Sequence, residues 1–172
     1  FRIKRLYLPL FALCFVLFGS ISASASLDIE QVDGQEVKKL LKQADKLVKN
    51  GNLAEAEKIV RQLLDRNPQN SKLKLNLAYI LMKERRLYEA YKLSFDVADK
   101  EPQNSYAFAV LGMTILNAGN FREAEISFNN SLSINRRQAM AWAGLGFLDF
   151  YENRIFDSLN SMRNAVYLDS GE

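Results

Sequence analysis

The chain of 172 residues contains no histidine, and its single cysteine is Cys14. Imidazole and thiolate groups serve most nucleophilic and zinc-binding sites in proteins. Their absence after residue 14 excludes catalysis by histidine or cysteine and a zinc site of the usual kind. Glycine-rich phosphate loops and Gly-x-Ser-x-Gly motifs are also missing. The sequence therefore indicates no enzyme, no cofactor, no metal and no small-molecule substrate.

Proline is scarce as well, and its placement shows a repeat. Two of the three prolines, Pro68 and Pro102, lie 34 residues apart within Asn-Pro-Gln-Asn and Glu-Pro-Gln-Asn. Ala56, Ala90 and Ala124 have the same spacing. A period of this size indicates stacked supersecondary units rather than one globular core. Without any gap, the spacing divides the chain into four units, 37–70, 71–104, 105–138 and 139–172.

Each unit has the pattern of two helices joined by a tight turn. In the third unit, Phe108, Leu111 and Ile115 recur at spacings of three and four, which places them on one helix face. Gly119 then permits a left-handed turn, and Asn120 is positioned to cap the following helix. The sequence predicts an all-α fold with eight helices, near 37–50, 53–66, 71–84, 87–100, 105–118, 121–134, 139–152 and 155–168.

The third and fourth units resemble the tetratricopeptide repeat family. Leu111-Gly112, Ala124 and Phe128 match the Leu-Gly, alanine and aromatic positions of that family, and Trp142 opens the fourth unit as its tryptophan does. The resemblance covers 37–172 in phase. It implies an α-solenoid, in which antiparallel helix pairs form a superhelix that binds a protein or peptide.

Four positions depart from the family pattern, and the first is Gln43, which stands where the first unit should have its leucine. Arg136 and Ser170 stand where the late proline is expected, and Asp149 stands where the family has an inward-facing tyrosine. A buried carboxylate needs a hydrogen-bonding partner. We expect Asp149 to bond to the backbone or to Arg154, and a polar contact with a ligand is the alternative.

The resemblance also implies a binding surface. In this family the first helices of successive units line the concave side, and a few of their positions face the groove. Adaptable methionine and large aromatic side chains suit recognition of an apolar peptide or helix. The alternative is that the aromatic residues of the fourth unit pack against their neighbours or a further repeat. The expected groove residues are Lys72, Tyr79, Met82, Lys83, Tyr106, Met113, Asn117, Phe147, Phe150 and Tyr151.

One subtype of the family does not fit. Its chaperone-binding members hold a C-terminal carboxylate with lysine and asparagine on the first unit, where this chain has Leu41 and Asp45. Asn76 matches on the second unit, but Tyr106 and Val110 replace the cations of the third. The sequence therefore argues against a chaperone-binding function.

The first 25 residues have the pattern of a secretory signal peptide. Basic residues precede an apolar run over 6–18, and small residues follow up to Ala25, where we expect cleavage. The run is shorter than the roughly 20 residues of a membrane span. The expected location is bacterial and extracytoplasmic, such as the periplasm. The alternative is a retained leader, which would be the chain's only attachment to a membrane.

The leader also explains the charge. Arg2, Lys4 and Arg5 account for the whole excess of the 23 lysines and arginines over the 20 aspartates and glutamates. Without the leader the chain has no net charge, so nothing indicates a nucleic-acid partner, which requires a basic stripe. An acidic linker is expected over 26–36.

Two functions remain open at this point. The first is an exported, non-catalytic scaffold that binds a protein or peptide segment in its concave groove. The second is an N-terminal accessory module of a larger envelope enzyme or polysaccharide-export or assembly protein, with its activity beyond residue 172. The second is suggested by the final helix, where Phe156, Leu159 and Met162 leave an apolar outer face that a terminal repeat would normally cover.

Overall fold

The structure is a computed structural model that describes residues 34–169. These residues contain eight helices and no strand. The expected signal peptide, most of the expected linker and the last three residues lie outside the described part. The helices are α1 (34–49), α2 (Leu53–Arg66), α3 (Ser71–Lys83), α4 (Leu87–Lys100), α5 (Ser105–Asn117), α6 (Phe121–Ile134), α7 (Ala139–Tyr151) and α8 (Ile155–Asp169).

The expected all-α fold is confirmed, and α2, α4 and α6 begin and end where the sequence predicts. Pro68 and Pro102 each follow the last residue of a second helix by two positions. This is because a proline disfavours helical backbone at the residue before it. The largest difference is at α1, which includes 34–36, a segment assigned to the linker. Gln35 and Glu36 are good helix formers, so the helix continues through them.

The chain divides into two compact parts between Gln43 and Ala44, within α1. In the part that follows this division, each helix from α2 to α8 packs against the next one along the chain. In addition, α3 contacts α5, and α5 contacts α7. This is the connectivity of stacked helix pairs, in which the first helix of each pair touches the first helix of the next.

The same backbone conformation recurs in the turn within each pair. The residue two positions before the second helix has a positive φ in all four units: Gly51 (81°), Arg85 (65°), Gly119 (87°) and Asn153 (63°). The left-handed turn expected at Gly119 is confirmed. Glycine takes this conformation without strain, whereas an L side chain such as that of Arg85 takes it at a cost.

Asparagine caps are present, although not at the predicted place. The side chain of Asn70 accepts a hydrogen bond from the Leu73 backbone at 3.1 Å, and Asn104 does the same with Ala107. Asn120 makes no such bond, so the predicted cap there is wrong. Its ψ of 80° is lower than that of the two capping asparagines, at 104° and 92°. The two capped helices, α3 and α5, are therefore both the first helices of their repeat units.

The helix pairs approach closely at small residues. Ala56, Ala90 and Ala124 are all fully buried. Phe128 on α6 is also fully buried and lies against Gly112 on α5 and Gly144 on α7. A Cβ atom built on either glycine would come within 2.7 Å of the ring. The ring thus joins three helices, and the two glycines are required by its volume.

Asp149 has a structural role, as the first alternative expected. It is buried, and its Oδ1 accepts from Arg154 Nη2 at 2.6 Å and Nε at 2.9 Å. Its Oδ2 accepts from Ser161 Oγ at 3.2 Å. The carboxylate thereby ties α7 to α8 and to the turn between them.

Candidate functional site

The candidate site is built on α3, α5 and α7, the first helices of units two to four. Because α5 contacts both α3 and α7, their outward side chains form one surface, which we call the first-helix face. All ten expected groove residues lie on these three helices: Lys72, Tyr79, Met82 and Lys83 on α3; Tyr106, Met113 and Asn117 on α5; Phe147, Phe150 and Tyr151 on α7.

Tyr79 and Tyr106 are brought together between α3 and α5. Burial, followed by the proximity of Tyr79 and Asp45, raises the pKa of Tyr106 to about 12. Its phenol is therefore neutral and available as a hydrogen-bond donor at physiological pH. Lys83 Nζ lies 5.4 Å from the centre of the Tyr79 ring, an attractive cation–π distance.

Lys72 and Tyr106 line one open cavity of about 570 Å³, at the N-terminal ends of α3 and α5. Leu75 and Asn104 also line it. A volume of this size lies in the range that holds small ligands or several peptide side chains. No hydrogen bond or ion pair occupies Lys72 within the described residues. The cavity therefore combines an unpaired ammonium, a neutral phenol and an apolar wall.

Glu101 forms the acidic side of the same cavity. Its carboxylate accepts hydrogen bonds from Ser71 Oγ and, at 2.8 Å, from Asn104 Nδ2. These two bonds lower the pKa of Glu101, and the one from Ser71 has the larger effect, although partial desolvation acts in the opposite direction. The carboxylate is consequently ionised and held by its own neighbours, which leaves the cationic side of the cavity at Lys72 to interact with a partner.

Asn117 and Met113 lie together at the other end of α5. Asn117 donates from Nδ2 to the Met113 carbonyl at 2.8 Å and accepts from Arg85 Nη1 at 3.3 Å. The side chains of Met113 and Asn117 are both partly buried. Asn117 is therefore engaged by the preceding unit, and a partner would have to displace Arg85 to use its oxygen.

The α7 residues differ among themselves. Phe147 and Phe150 are 47 % and 63 % exposed. Tyr151 is also exposed, but its ring packs edge-on against Phe121 of α6 at 4.5 Å between centroids. The alternative that an aromatic of the fourth unit packs against its neighbours therefore holds for Tyr151. Phe147 and Phe150 make no ring contact within the described residues, so they present free apolar area.

Met82 does not belong to the accessible part of the face. It is only 3 % exposed and lies in the apolar core. At its repeat position, Leu116 of α5 is buried as well. Met82 is consequently unavailable to a partner in this conformation.

A second surface was missed by the sequence reasoning. Tyr88, Tyr91 and Phe95 of α4 stand at helical spacing and are 75 %, 40 % and 48 % exposed. Tyr91 and Phe95 stack at 5.6 Å, and Lys92 Nζ lies 5.7 Å from the Tyr88 ring centre. The pattern was available in the sequence, because the residues 34 positions before and after these three are not aromatic. They are Ala54 and Arg122 for Tyr88, Glu57 and Glu125 for Tyr91, and Arg61 and Asn129 for Phe95.

Two further kinds of feature are absent from residues 34–169. No group of histidine, cysteine, aspartate and glutamate side chains is placed there to hold a metal ion. Within the same range, no helix combines the length and the hydrophobicity that crossing a membrane requires.

Comparison with known proteins agrees with the geometry. Residues 47–113 match a family model described as tetratricopeptide repeat. The matched segment runs from the end of α1 to the middle of α5 and includes the second unit entirely. No curated protein sequence matches the chain significantly.

Several solved structures share the fold. TTC0263, a thermophilic tetratricopeptide repeat protein in Thermus thermophilus, superposes with a TM-score of 0.69 at 16 % identity, over 78 % of this chain and 75 % of that one. MamA from Desulfovibrio magneticus gives 0.57 at 13 % identity, over 79 % and 77 %. A chain of the APC/C hetero-tetramer Cut9–Hcn1 gives 0.66 at 20 % identity, over 74 % of this chain and 24 % of that one.

At identities below 25 %, these likenesses show the fold alone. Together with the family match and the recurring turn and core positions, they define the class of protein. Residues 47–113 match the tetratricopeptide repeat family, and the helices of the described residues fold as an α-solenoid of antiparallel pairs.

Proposed function

We propose that this chain is an exported scaffold that binds a protein or peptide segment along the first-helix face and catalyses no reaction itself. The observation that carries the proposal is the cavity beside Lys72 and Tyr106, followed along the same face by the exposed Phe147 and Phe150. Polar groups that fix orientation and apolar anchors that supply contact area are the usual parts of a peptide-binding surface.

The polar end of the face suits a main-chain carbonyl or a carboxylate of the partner. The Lys72 ammonium and the Tyr106 phenol are both donors, and the adjacent Glu101 carboxylate is already bonded to Ser71 and Asn104. A donor pair beside an apolar wall orients an extended peptide without reading its full sequence. Phe147 and Phe150 would bind its apolar side chains, since exposed aromatic rings lose contact with water on binding.

Selection of peptides from a displayed random library, followed by affinity measurement, tests this proposal. We expect selected peptides to bind about tenfold more weakly to Lys72→Gln or Phe147→Ala, because a charge-assisted hydrogen bond or an aromatic anchor contributes on the order of 1–3 kcal/mol. Ile126→Ala is the matched control, since Ile126 is exposed on the second helix α6. Equal losses at Ile126 and Phe147, or none at either, would count against the first-helix face.

Export is a separate part of the proposal and rests on the pattern of the first 25 residues. The expected product begins at Ser26. Intact-mass analysis of the protein recovered from the periplasm tests this expectation. A mass that retains Arg2 to Ala25 would indicate that the leader remains as an anchor.

A second candidate function is that of an accessory module in a larger envelope protein. The observation that favours it is the outer face of α8, where Phe156, Leu159 and Val166 are exposed. At the position of Met162 on α8, α6 has the fully buried Phe128, which α7 of the next unit covers. Sedimentation of the protein with and without Phe156→Glu and Leu159→Lys tests whether this face drives association.

A further inference from the structure

The groove between α2 and α4 and the groove between α4 and α6 differ in their charged residues. In the α2–α4 groove, Arg86 Nε donates to Glu89 Oε1 and Arg86 Nη1 to Glu57 Oε1, both at 2.8 Å. Arg61 Nη2 lies 2.6 Å from Glu57 and 3.8 Å from Glu89. Glu57 and Glu89 are thus each paired with guanidinium groups of the chain itself, and Arg86 Nη1 also donates to Glu84 at 3.2 Å.

The next groove keeps one of these carboxylates and lacks both guanidinium groups. At the positions 34 residues later, Glu123 takes the place of Glu89, but Asn120 replaces Arg86 and Phe95 replaces Arg61. Tyr91 stands in the place of Glu57. Over 34–169, Glu123 makes no ion pair and no side-chain hydrogen bond. Glu123 thus has the repeat position of Glu89, whose carboxylate is paired with Arg86, but its own carboxylate has no such partner among the described residues.

The space beside Glu123 is an open groove of about 250 Å³. We call it the α4–α6 groove; it is lined by Leu87, Tyr88, Tyr91, Ile115, Asn120 and Glu123. A volume below the roughly 300 Å³ of small-molecule pockets suits one long side chain rather than a metabolite.

We propose that the α4–α6 groove binds an arginine side chain presented by a protein partner. Its guanidinium would bond to the Glu123 carboxylate and pack on the tyrosine rings. The groove also lies at the C-terminal end of α5, where the helix dipole favours a cation. Besides residues of α4 and α6, the lining includes Ile115 of α5, but it includes none of the ten expected residues of the first-helix face, so the proposal is independent of peptide binding there.

Arginine fits the groove better than lysine for two reasons. A planar guanidinium stacks on an aromatic face and bonds a carboxylate through two parallel N–H groups, whereas an ammonium acts as a point charge. In addition, a guanidinium is more weakly hydrated than an ammonium, so it loses less when it enters the groove.

Titration of the protein with N-acetyl-arginine amide, followed by NMR of the Tyr88 and Tyr91 rings, tests the proposal. We expect saturable shifts at both rings, and much smaller ones with N-acetyl-citrulline amide, which is close in shape but uncharged. N-acetyl-lysine amide should bind severalfold more weakly than the arginine probe. Equal shifts with the arginine and citrulline probes, or no shifts at the two rings, would overturn the proposal.

Two substitutions identify the carboxylate. Glu123→Gln should weaken the arginine probe about tenfold, since a charge-assisted bond is lost. Glu55→Gln is the matched control, because Glu55 has the same repeat position on α2 but does not line the α4–α6 groove, and this variant should bind the arginine probe as tightly as the parent. An unchanged affinity in Glu123→Gln would contradict the assignment.

A third substitution fills the groove from within. Asn120→Arg restores the arginine that the neighbouring groove has at this position, and it removes no capping bond, because Asn120 makes none. Its guanidinium should occupy Glu123 and abolish binding of the arginine probe. Retention of full probe affinity in this variant would show that the probe binds elsewhere.

Discussion

Replacement of Gly144 by alanine tests the helix packing most sharply. A Cβ atom at this position would lie 2.2–2.5 Å from three atoms of the Phe128 ring. The ring cannot retreat toward α5, because its other side faces Gly112, where a Cβ atom would lie at 2.7 Å. Overpacking of this kind costs about 1–3 kcal/mol, and the double contact favours the upper end of that range.

Helix propensity acts in the opposite direction. Alanine in a helix interior is favoured over glycine by about 1 kcal/mol. The expected net loss for Gly144→Ala is therefore about 2 kcal/mol in the free energy of unfolding. With a urea m-value of about 2 kcal/mol/M, the unfolding midpoint should fall by about 1 M.

Urea unfolding followed by circular dichroism measures this loss, and two further variants interpret it. Ala143→Gly, at the adjacent exposed position, reports the local propensity and should lose about 1 kcal/mol. Phe128→Leu should make Gly144→Ala nearly harmless, which gives a coupling energy of about 2 kcal/mol in a double-mutant cycle. A Gly144→Ala protein that is stabilised by about 1 kcal/mol would refute the reasoning, since that is the result for a glycine with free space.

Three further predictions concern the core and the titrating groups. Ala124→Leu should cost about 1–3 kcal/mol by overpacking, whereas Pro102→Ala should be much milder; equal melting of the two would contradict the repeat phase. Tyr106 should ionise at about pH 12 in an absorbance titration at 295 nm, and Tyr106→Phe should remove that step. Because the pKa of Tyr106 is raised in the folded state, the contribution of its neutral phenol to the free energy of unfolding is present below about pH 10 and is lost between about pH 10 and 12. Desolvation alone would raise the pKa of Glu57, but the hydrogen bonds from Arg61 and Arg86 outweigh it, so the pKa is lowered. The ionised carboxylate therefore stabilises the folded state above about pH 4.3, and this contribution is lost as the pH falls below that value. The urea midpoint of Glu57→Gln should fall less steeply with acid than that of the parent.

The helices could be predicted because short-range rules determine them. Apolar spacing places each helix, and Pro68 and Pro102 end α2 and α4 within two residues. The positive φ at Arg85 and Asn153 could not be read from residue type, since neither is glycine. It follows only from the repeat, because Gly51 and Gly119 occupy the same position.

The candidate site was less predictable, because exposure depends on neighbouring helices. Repeat position places Met82 and Tyr151 on first helices, but packing buries Met82 in the core and turns the Tyr151 ring onto Phe121. The α4 aromatics were missed for a different reason. They stand out only when Tyr91 and Phe95 are compared with the polar residues 34 positions away.

The most direct test of the central idea, a partner bound along the first-helix face, is photo-crosslinking in cells. Benzoylphenylalanine in place of Phe147 or Phe150 should give an adduct with the same polypeptide at both positions, and Lys72→Gln should reduce its yield. The same group in place of Ile126, on α6, should give no such adduct. An adduct at Ile126 with none at Phe147 and Phe150 would contradict binding along the first helices.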